Sequence, residues 1–177
     1  WLTYSRLDSG RSRRAVQCTL CTTESMAGRR AQPTMGSYDV SRHARVRLSG
    51  ALYQDWSLVT DQVSASVLCP FLVATGISQS QRNRPGELPA AKPTKSQLVG
   101  QAMSVKAVSS GKVKAADVAQ KVFDAVAANQ FYIYSHPQAI GSVQTRLEDI
   151  LLARNPTDPF AGKPELGIAL KKALRQA

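Results

Sequence analysis

The alternation of strand-like and helix-like segments constrains this chain most. Val63 to Leu68 is a short β-branched run that stops at Pro70, as a buried strand does. Before it, Val40, Ala44, Leu48, Ala51, Leu52 and Trp56 recur at three- and four-residue spacings, which predicts a helix from about Tyr38 to Leu58. A short strand over about Thr19 to Thr23 precedes that helix. Downstream, Val118, Val122, Ala125 and Val126 mark a helix from about Ala115 to Asn129. Phe131 to Tyr134 reads as a strand of aromatic and β-branched residues. Pro137 suits the first turn of a further helix, carried by Ile140, Val143, Leu147 and Leu151 to about Ala153. Strands and helices in this order imply a parallel sheet with right-handed crossovers.

The remaining segments are less regular. Residues 1 to 18 have neither a helical nor a strand period and are expected to be poorly ordered. Residues 76 to 111 are rich in Ser, Gln, Arg, Pro and Gly and read as a long loop with room for one short helix. Such a loop is usually functional or disordered. Asn155-Pro156-Thr157-Asp158-Pro159 ends the preceding helix. In the tail, 157 to 177, Pro164 to Arg175 places Leu166, Leu170 and Leu174 on one helical face, expected to pack on its own domain or to fray. No internal repeat is visible.

Composition limits the function classes. A chain of 177 residues with 43% hydrophobic and 20% charged residues can bury one domain core. No apolar run approaches the ~18 residues of a membrane span, and no signal peptide is visible. Three cysteines in such a chain suggest reduced thiols and the cytoplasm. The net charge of +11 raises the question of nucleic acid. All nine arginines of residues 1 to 47 come without a single lysine, and all nine lysines lie from Lys92 onward. The Arg11-Ser12-Arg13-Arg14 run and Arg29-Arg30 have the charge to hold phosphates. No helix-turn-helix, finger or aromatic-rich motif accompanies them, so they read as solvated.

One constellation carries chemistry. Ser25 is followed by Met26-Ala27-Gly28. Thirteen residues after Ser25 comes Tyr38, within Gly36-Ser37-Tyr38-Asp39-Val40-Ser41-Arg42-His43-Ala44. Positions i and i+4 share a helix face, so Tyr38 and Arg42 can converge. A free tyrosine has a pKa of ~10; a fixed cation beside it stabilises the phenolate. A serine hydroxyl can hold a substrate oxygen nearby. Acid-base catalysis of this kind contributes roughly 10²- to 10⁴-fold.

This stretch resembles the active-site segment of the short-chain dehydrogenase/reductase family, which carries a serine and then Tyr-x-x-x-Lys at this spacing. Val67-Leu68-Cys69-Pro70-Phe71-Leu72-Val73-Ala74-Thr75 resembles the family's Pro-Gly-x-Val-x-Thr segment. The resemblance runs from about Ser25 to Pro156, the C-terminal half of the family's fold. It implies a partial Rossmann-like, three-layer α/β fold over residues 19 to 156, with a short parallel sheet and flanking helices. It also implies NAD- or NADP-dependent interconversion of an alcohol and a carbonyl. Ser25, Tyr38 and Arg42 would be catalytic, with Arg42 at the family's lysine position. Tyr38, Arg42, Pro70, Val73 and Thr75 would contact the cofactor. Ser25, Ile77 and Ser80, with Arg82 to Pro85, would face a small-molecule substrate across the 76 to 111 region.

Three departures follow from the comparison with the family. Arg42 replaces the lysine, and a planar guanidinium is not equivalent to an ammonium at a precise site. Phe71 stands where the family has a glycine that lets backbone approach the cofactor. The eleven glycines nowhere form Gly-x-x-x-Gly-x-Gly or Gly-x-Gly-x-x-Gly, so the pyrophosphate cradle of such folds is not encoded. The chain therefore reads as a truncated or divergent enzyme of impaired activity. Without its family neighbour, the strand before Ser25 would leave an open edge, and Leu48, Leu52 and Trp56 would be partly uncovered; a homo-oligomer is the expected consequence.

Cys18-x-x-Cys21 has half the spacing of a zinc or redox site, but only Cys69, His43 and His136 remain as further ligands, so no metal is expected. His43 is expected to pack beside the active site and His136 to cap the helix that begins at Pro137. Two rival functions stand against the oxidoreductase. One is a non-catalytic family member that binds a partner; the other is a basic nucleic-acid-binding protein, supported by charge alone. Neither nucleic acid nor membrane is expected as a partner.

Overall fold

The computed structural model describes residues 2–7, 17–88 and 91–175. A four-stranded sheet runs in the order β1-β2-β3-β4, with β1 at Leu2–Leu7, β2 at Gln17–Thr23, β3 at Val63–Cys69 and β4 at Tyr132–Tyr134. β2, β3 and β4 are parallel, with Cys21 opposite Ser66 and Leu68 opposite Ile133. Helix α1 (Gly36–Val59) connects β2 to β3. Helices α2 (Lys95–Ser109) and α3 (Ala115–Ala127) lie between β3 and β4, and α4 (Gly141–Leu151) and α5 (Pro164–Arg175) follow.

Alternation along β3 builds a core on each face of the sheet. Leu68 joins Cys21, Val118, Ala125 and Ile133 under α3. Val67 and Cys69 join Met26, Val46 and Val143 between the sheet, α1 and α4. This is the expected three-layer α/β arrangement, and each of the three parallel strands lies within two residues of its expected limits.

Of residues 1 to 18, expected to be poorly ordered, the structure describes 2–7 and 17–18. Leu2–Leu7 pairs antiparallel with β2, Leu2 opposite Thr22 and Leu7 opposite Gln17. A strand edge presents unpaired N–H and C=O groups, and pairing satisfies them whatever the side-chain period. The edge expected to stand open beside Ser25 is thereby covered. The Arg11 to Arg14 run lies outside the described residues.

The 76 to 111 region also holds more structure than its composition suggests. A short 3-10 helix spans Gly76–Asn83, and α2 fills fifteen residues of what read as loop. Thr94 starts α2 with a reciprocal capping box: its hydroxyl accepts from Gln97 N–H, and the Gln97 side chain accepts from Thr94 N–H at 2.8 Å. Thr-x-x-Gln was the legible signal.

Helix α1 packs on the sheet through a face different from its apolar stripe. Asp39, Val46 and Ser49 are buried, whereas Val40 is 69% exposed and Leu48 59% exposed. Leu52 and Trp56 are half-buried. The Ser49 hydroxyl lies 2.8 Å from that of Thr22 on β2, so a polar contact sits where the pattern favoured an apolar one. On α4, Val143 is buried while Leu147 and Leu151 are exposed.

Burial ranks the core residues. Met26, only 1% exposed, is the largest fully buried side chain and sits among Val46, Val67, Cys69 and Val143. Met26→Ala should lower unfolding stability by about 2–5 kcal/mol. Leu58→Ala, at a side chain 84% exposed, should change it by about 0.5 kcal/mol or less. Denaturant titration of both variants checks the ranking; equal losses would contradict it.

Candidate functional site

The site is built at the C-terminal ends of β2 and β3. Glu24 N–H donates to Leu68 C=O at 2.8 Å, and Met26 N–H donates to Pro70 C=O at 2.9 Å. These bonds lace the two strand exits together and set Pro70 beside Ser25. Ser25 is extended and caps a 3-10 helix, Met26–Arg29, its Oγ accepting from Ala27 N–H at 3.1 Å. An oxygen used this way still has its O–H to donate.

That 3-10 helix is pressed onto α1 at Gly28. A Cβ there would lie 2.7 Å from the Arg42 carbonyl carbon and 2.8 Å from its oxygen, distances only a glycine tolerates. The Gly28 carbonyl lies 2.8 Å from His43 Nδ1. A carbonyl can only accept, so Nδ1 carries the proton. The contact docks the turn that bears Ser25 onto the helix that bears Tyr38 and Arg42. His43 thus does pack beside the site, as a clamp.

Tyr38 and Arg42 share one face of α1, and the Arg42 guanidinium sits over the Tyr38 ring, 5.0 Å from its centroid. Among the described residues no hydrogen bond joins Tyr38 to Ser25 or Arg42. Arg42 Nη1 instead faces Glu24 Oε2 at 3.5 Å, and Arg45 Nη1 faces Glu24 Oε1 at 3.8 Å. Burial raises the Glu24 carboxyl above the usual carboxylate range, against the pull of Arg45 and then Arg42. The sequence reading had passed over Glu24; an acidic residue closing a buried strand beside Ser25 was the available signal.

The Pro70 to Thr75 segment is held from two sides. Phe71 N–H donates to Ser135 Oγ at 2.9 Å, and that hydroxyl lies 2.7 Å from His136 Nδ1. The Phe71 ring packs on His136, with the Arg30 guanidinium 4.8 Å from its centroid. Gly111 approaches so closely that a Cβ would meet the Leu72 carbonyl oxygen at 2.5 Å, and Val73 forms a parallel bridge with Val113. Thr75 is exposed and makes no side-chain cap. His136 does not cap the helix at Pro137 as expected; its ring is drawn to Ser135. Burial, then the charge of Lys121, lowers its pKa below the usual histidine value.

Not every candidate converges. Ile77 and Ser80 lie exposed on the Gly76–Asn83 helix; among the described residues no hydrogen bond ties that helix to α1 or to Ser25. It is tied to α2, through Gln101 Nε2 and the Ser78 carbonyl at 3.1 Å. Helix α2 also reaches the loop before α1, where the Ser104 hydroxyl donates to Met35 Sδ at 3.8 Å. A cleft of about 400 Å³ lined by Arg30, Asp39, His43 and Arg146 lies on a neighbouring face of α1. It takes in neither Ser25 nor Tyr38.

Other sequence features have structural places. Cys18 and Cys21 are three apart on β2, so their side chains point to opposite faces. Burial pushes the Cys69 thiol up to about 12 and raises Cys21 as well, which keeps both protonated near neutral pH. Arg29 stacks on Tyr132 at 4.9 Å, as Arg30 does on Phe71; both arginines are packed against aromatic rings rather than solvated.

The geometry has relatives. No family model matches the chain. A short-chain dehydrogenase/reductase from Burkholderia phymatum, solved in complex with NAD, superposes with a TM-score of 0.78 at 44% identity, over 81% of this chain and 51% of that one. Over the shared region the chain is similar to this short-chain dehydrogenase/reductase. The CLA biosynthesis dehydrogenase/reductase of Lactiplantibacillus plantarum is 29% identical over 133 residues, 72% of this chain and 46% of that protein. The chain thus spans about half the length of the proteins it matches.

Two outcomes follow from the site. Gly28→Ala should cost about 1–3 kcal/mol by overpacking and shift the His43 ring signals as the bond to Gly28 is lost. Denaturant unfolding with histidine NMR tests this; parent stability with unshifted His43 signals would refute it. The Glu24 carboxyl, raised in the fold, favours folding when protonated. That contribution is full below its unfolded pKa and is lost as pH rises through the folded one. Glu24→Gln, neutral at every pH, should therefore melt higher than the parent near neutral pH, with the difference closing in acid. A variant that melts no higher near neutral pH would contradict the sign.

Proposed function

We propose that the protein is an NAD(P)-dependent oxidoreductase that interconverts an alcohol and a carbonyl, with impaired activity in this chain. Docking of the Ser25 turn onto α1 through Gly28 is the observation that carries this reading. Tyr38 gives its phenol proton to the carbonyl oxygen, or takes one from the alcohol. Ser25 donates a hydrogen bond to the same oxygen through its remaining O–H. Arg42 supplies the positive charge of the family's lysine from a stacked position.

The fit to a nicotinamide cofactor is partial. When bound, the cofactor supplies or accepts the hydride. The nicotinamide end has Pro70 beside Ser25, the backbone of Val73 and the exposed Thr75 hydroxyl. Phe71, at the family's glycine position, is packed on Arg30 and His136. The pyrophosphate end has no glycine-rich turn in this sequence. Ile77 and Ser80 are assigned to the substrate side of the 76 to 111 region. The same reading has the chain act on a small molecule. It places the chain in the cytoplasm, supported by free thiols at Cys21 and Cys69, and gives it a tendency to self-associate through the uncovered stripe of α1.

Calorimetric titration of the chain with NAD(H) and NADP(H) should show binding weaker than micromolar; a micromolar dissociation constant would refute the partial fit and show that the glycine-rich turn is dispensable. Fusing a glycine-rich βαβ half from a relative should yield a slow alcohol dehydrogenase, and Arg42→Lys in that fusion should raise kcat. Equal rates would show that Arg42 is competent, and no turnover in either would sink the catalytic reading.

A further inference from the structure

Glu24 occupies an expensive position. It follows the last residue of β2 and directly precedes Ser25, and its side chain is only 4% exposed. A buried carboxylate without full hydrogen bonding disfavours the fold, and an apolar or hydroxyl residue would end the strand at lower cost. Its two ion pairs, at 3.5 and 3.8 Å, are long, and Arg45 is 52% exposed, so stability does not account for it.

We propose that Glu24 is a positioning residue that withholds Arg42 from the Tyr38 hydroxyl. The inference rests on the reading of Tyr38 as the proton-transfer group. A guanidinium is planar and carries five N–H donors. In Arg42, Nη1 is directed at Glu24, the guanidinium carbon lies over the Tyr38 ring at 5.0 Å, and Nε is buried without a partner. None of this hydrogen-bonding capacity reaches the phenol oxygen. A cation over a ring interacts with the quadrupole of the face, not with charge developing on the hydroxyl.

Glu24 also acts through charge. A lone cation acts on a neighbouring oxygen as a full charge. A cation paired with a carboxylate acts as a dipole, whose field falls off faster with distance. Glu24 therefore fixes where Arg42 sits and offsets the charge that would stabilise a phenolate. Arg45, the second cation on the carboxylate, is one turn further along α1 and does not stack on Tyr38.

Phenol reactivity in the full chain tests this without cofactor or turnover. N-acetylimidazole transfers its acetyl group to a phenolate oxygen, with imidazole leaving. Peptide mapping reads the rate at Tyr38 against Tyr132, which is 37% exposed, in the same sample. The parent, Glu24→Gln, Arg42→Ala and the double variant form a cycle, with Glu24→Ala and Arg42→Gln as alternates and circular dichroism confirming the fold. Glu24→Gln should speed acetylation at Tyr38 several-fold near neutral pH, and the acceleration should vanish in the Arg42→Ala background. An unchanged or slower rate in Glu24→Gln would overturn the proposal. So would an acceleration that persists undiminished without Arg42, because Glu24 would then act on the phenol directly. A fusion with no turnover would fail the functional reading alone and leave this cycle intact.

Discussion

The close approach of Gly28 to the backbone of Arg42 and His43 is the contact on which the rest of the site depends. The parallel pairing of β2 with β3 fixes where the chain leaves the sheet. It does not fix how the following turn meets the next helix. That is set where a Cβ is missing, at 2.7 Å from the Arg42 carbonyl carbon, and is held by the bond from His43 Nδ1 to the Gly28 carbonyl. The turn carries Ser25 at its start, and the helix carries Tyr38 and Arg42 on one face. One small residue thus docks the turn that starts at Ser25 onto the helix that carries Tyr38 and Arg42. A larger residue would wedge the turn off the helix and separate them with the sheet itself undisturbed.

The parallel part of the fold was legible because its signals are local. Val63–Cys69 is short, carries Val63 and Val67 and is closed by a proline; α3 buries Val118, Ala125 and Val126 of the residues that its period marks, with Val122 half-buried. The edges were not legible. Leu2–Leu7 has no strand period, and its order comes from the backbone groups β2 offers, which are invisible in the sequence of β1 itself. Helix α1 was found from its apolar stripe, yet Val40 and Leu48 of that stripe face outward while Asp39, Val46 and Ser49 are buried. A helix with two faces to cover reads in sequence like a helix with one. The choice between them is made by what packs there, here the polar contact of Ser49 with Thr22.

The candidate site shows the same division. Ser25, Tyr38, Arg42 and Pro70 were legible from types and spacings along the chain. What surrounds them was not. Glu24 pairs with Arg42 across 18 positions, and Ser135 holds Phe71 N–H across 64. Neither pairing leaves a local pattern. The consequence is chemical. Charge and stacking at Arg42 are governed by a carboxylate on another element, so identity at position 42 alone does not determine what the tyrosine experiences. His136 likewise read as a helix cap from its place before Pro137 and is turned instead to a buried serine.

The measurement that tests this account most directly is the proton-proton contact map of the folded chain in solution by NMR. Nuclear Overhauser effects between the Gly28 α-protons and the backbone protons of Arg42 and His43 are expected, together with an Nδ1-protonated His43. Their presence would place the Ser25 turn on α1. Their absence in a chain that still shows the β2–β3 cross-strand contacts would mean that the turn sits elsewhere and that Ser25 and Tyr38 do not form one site.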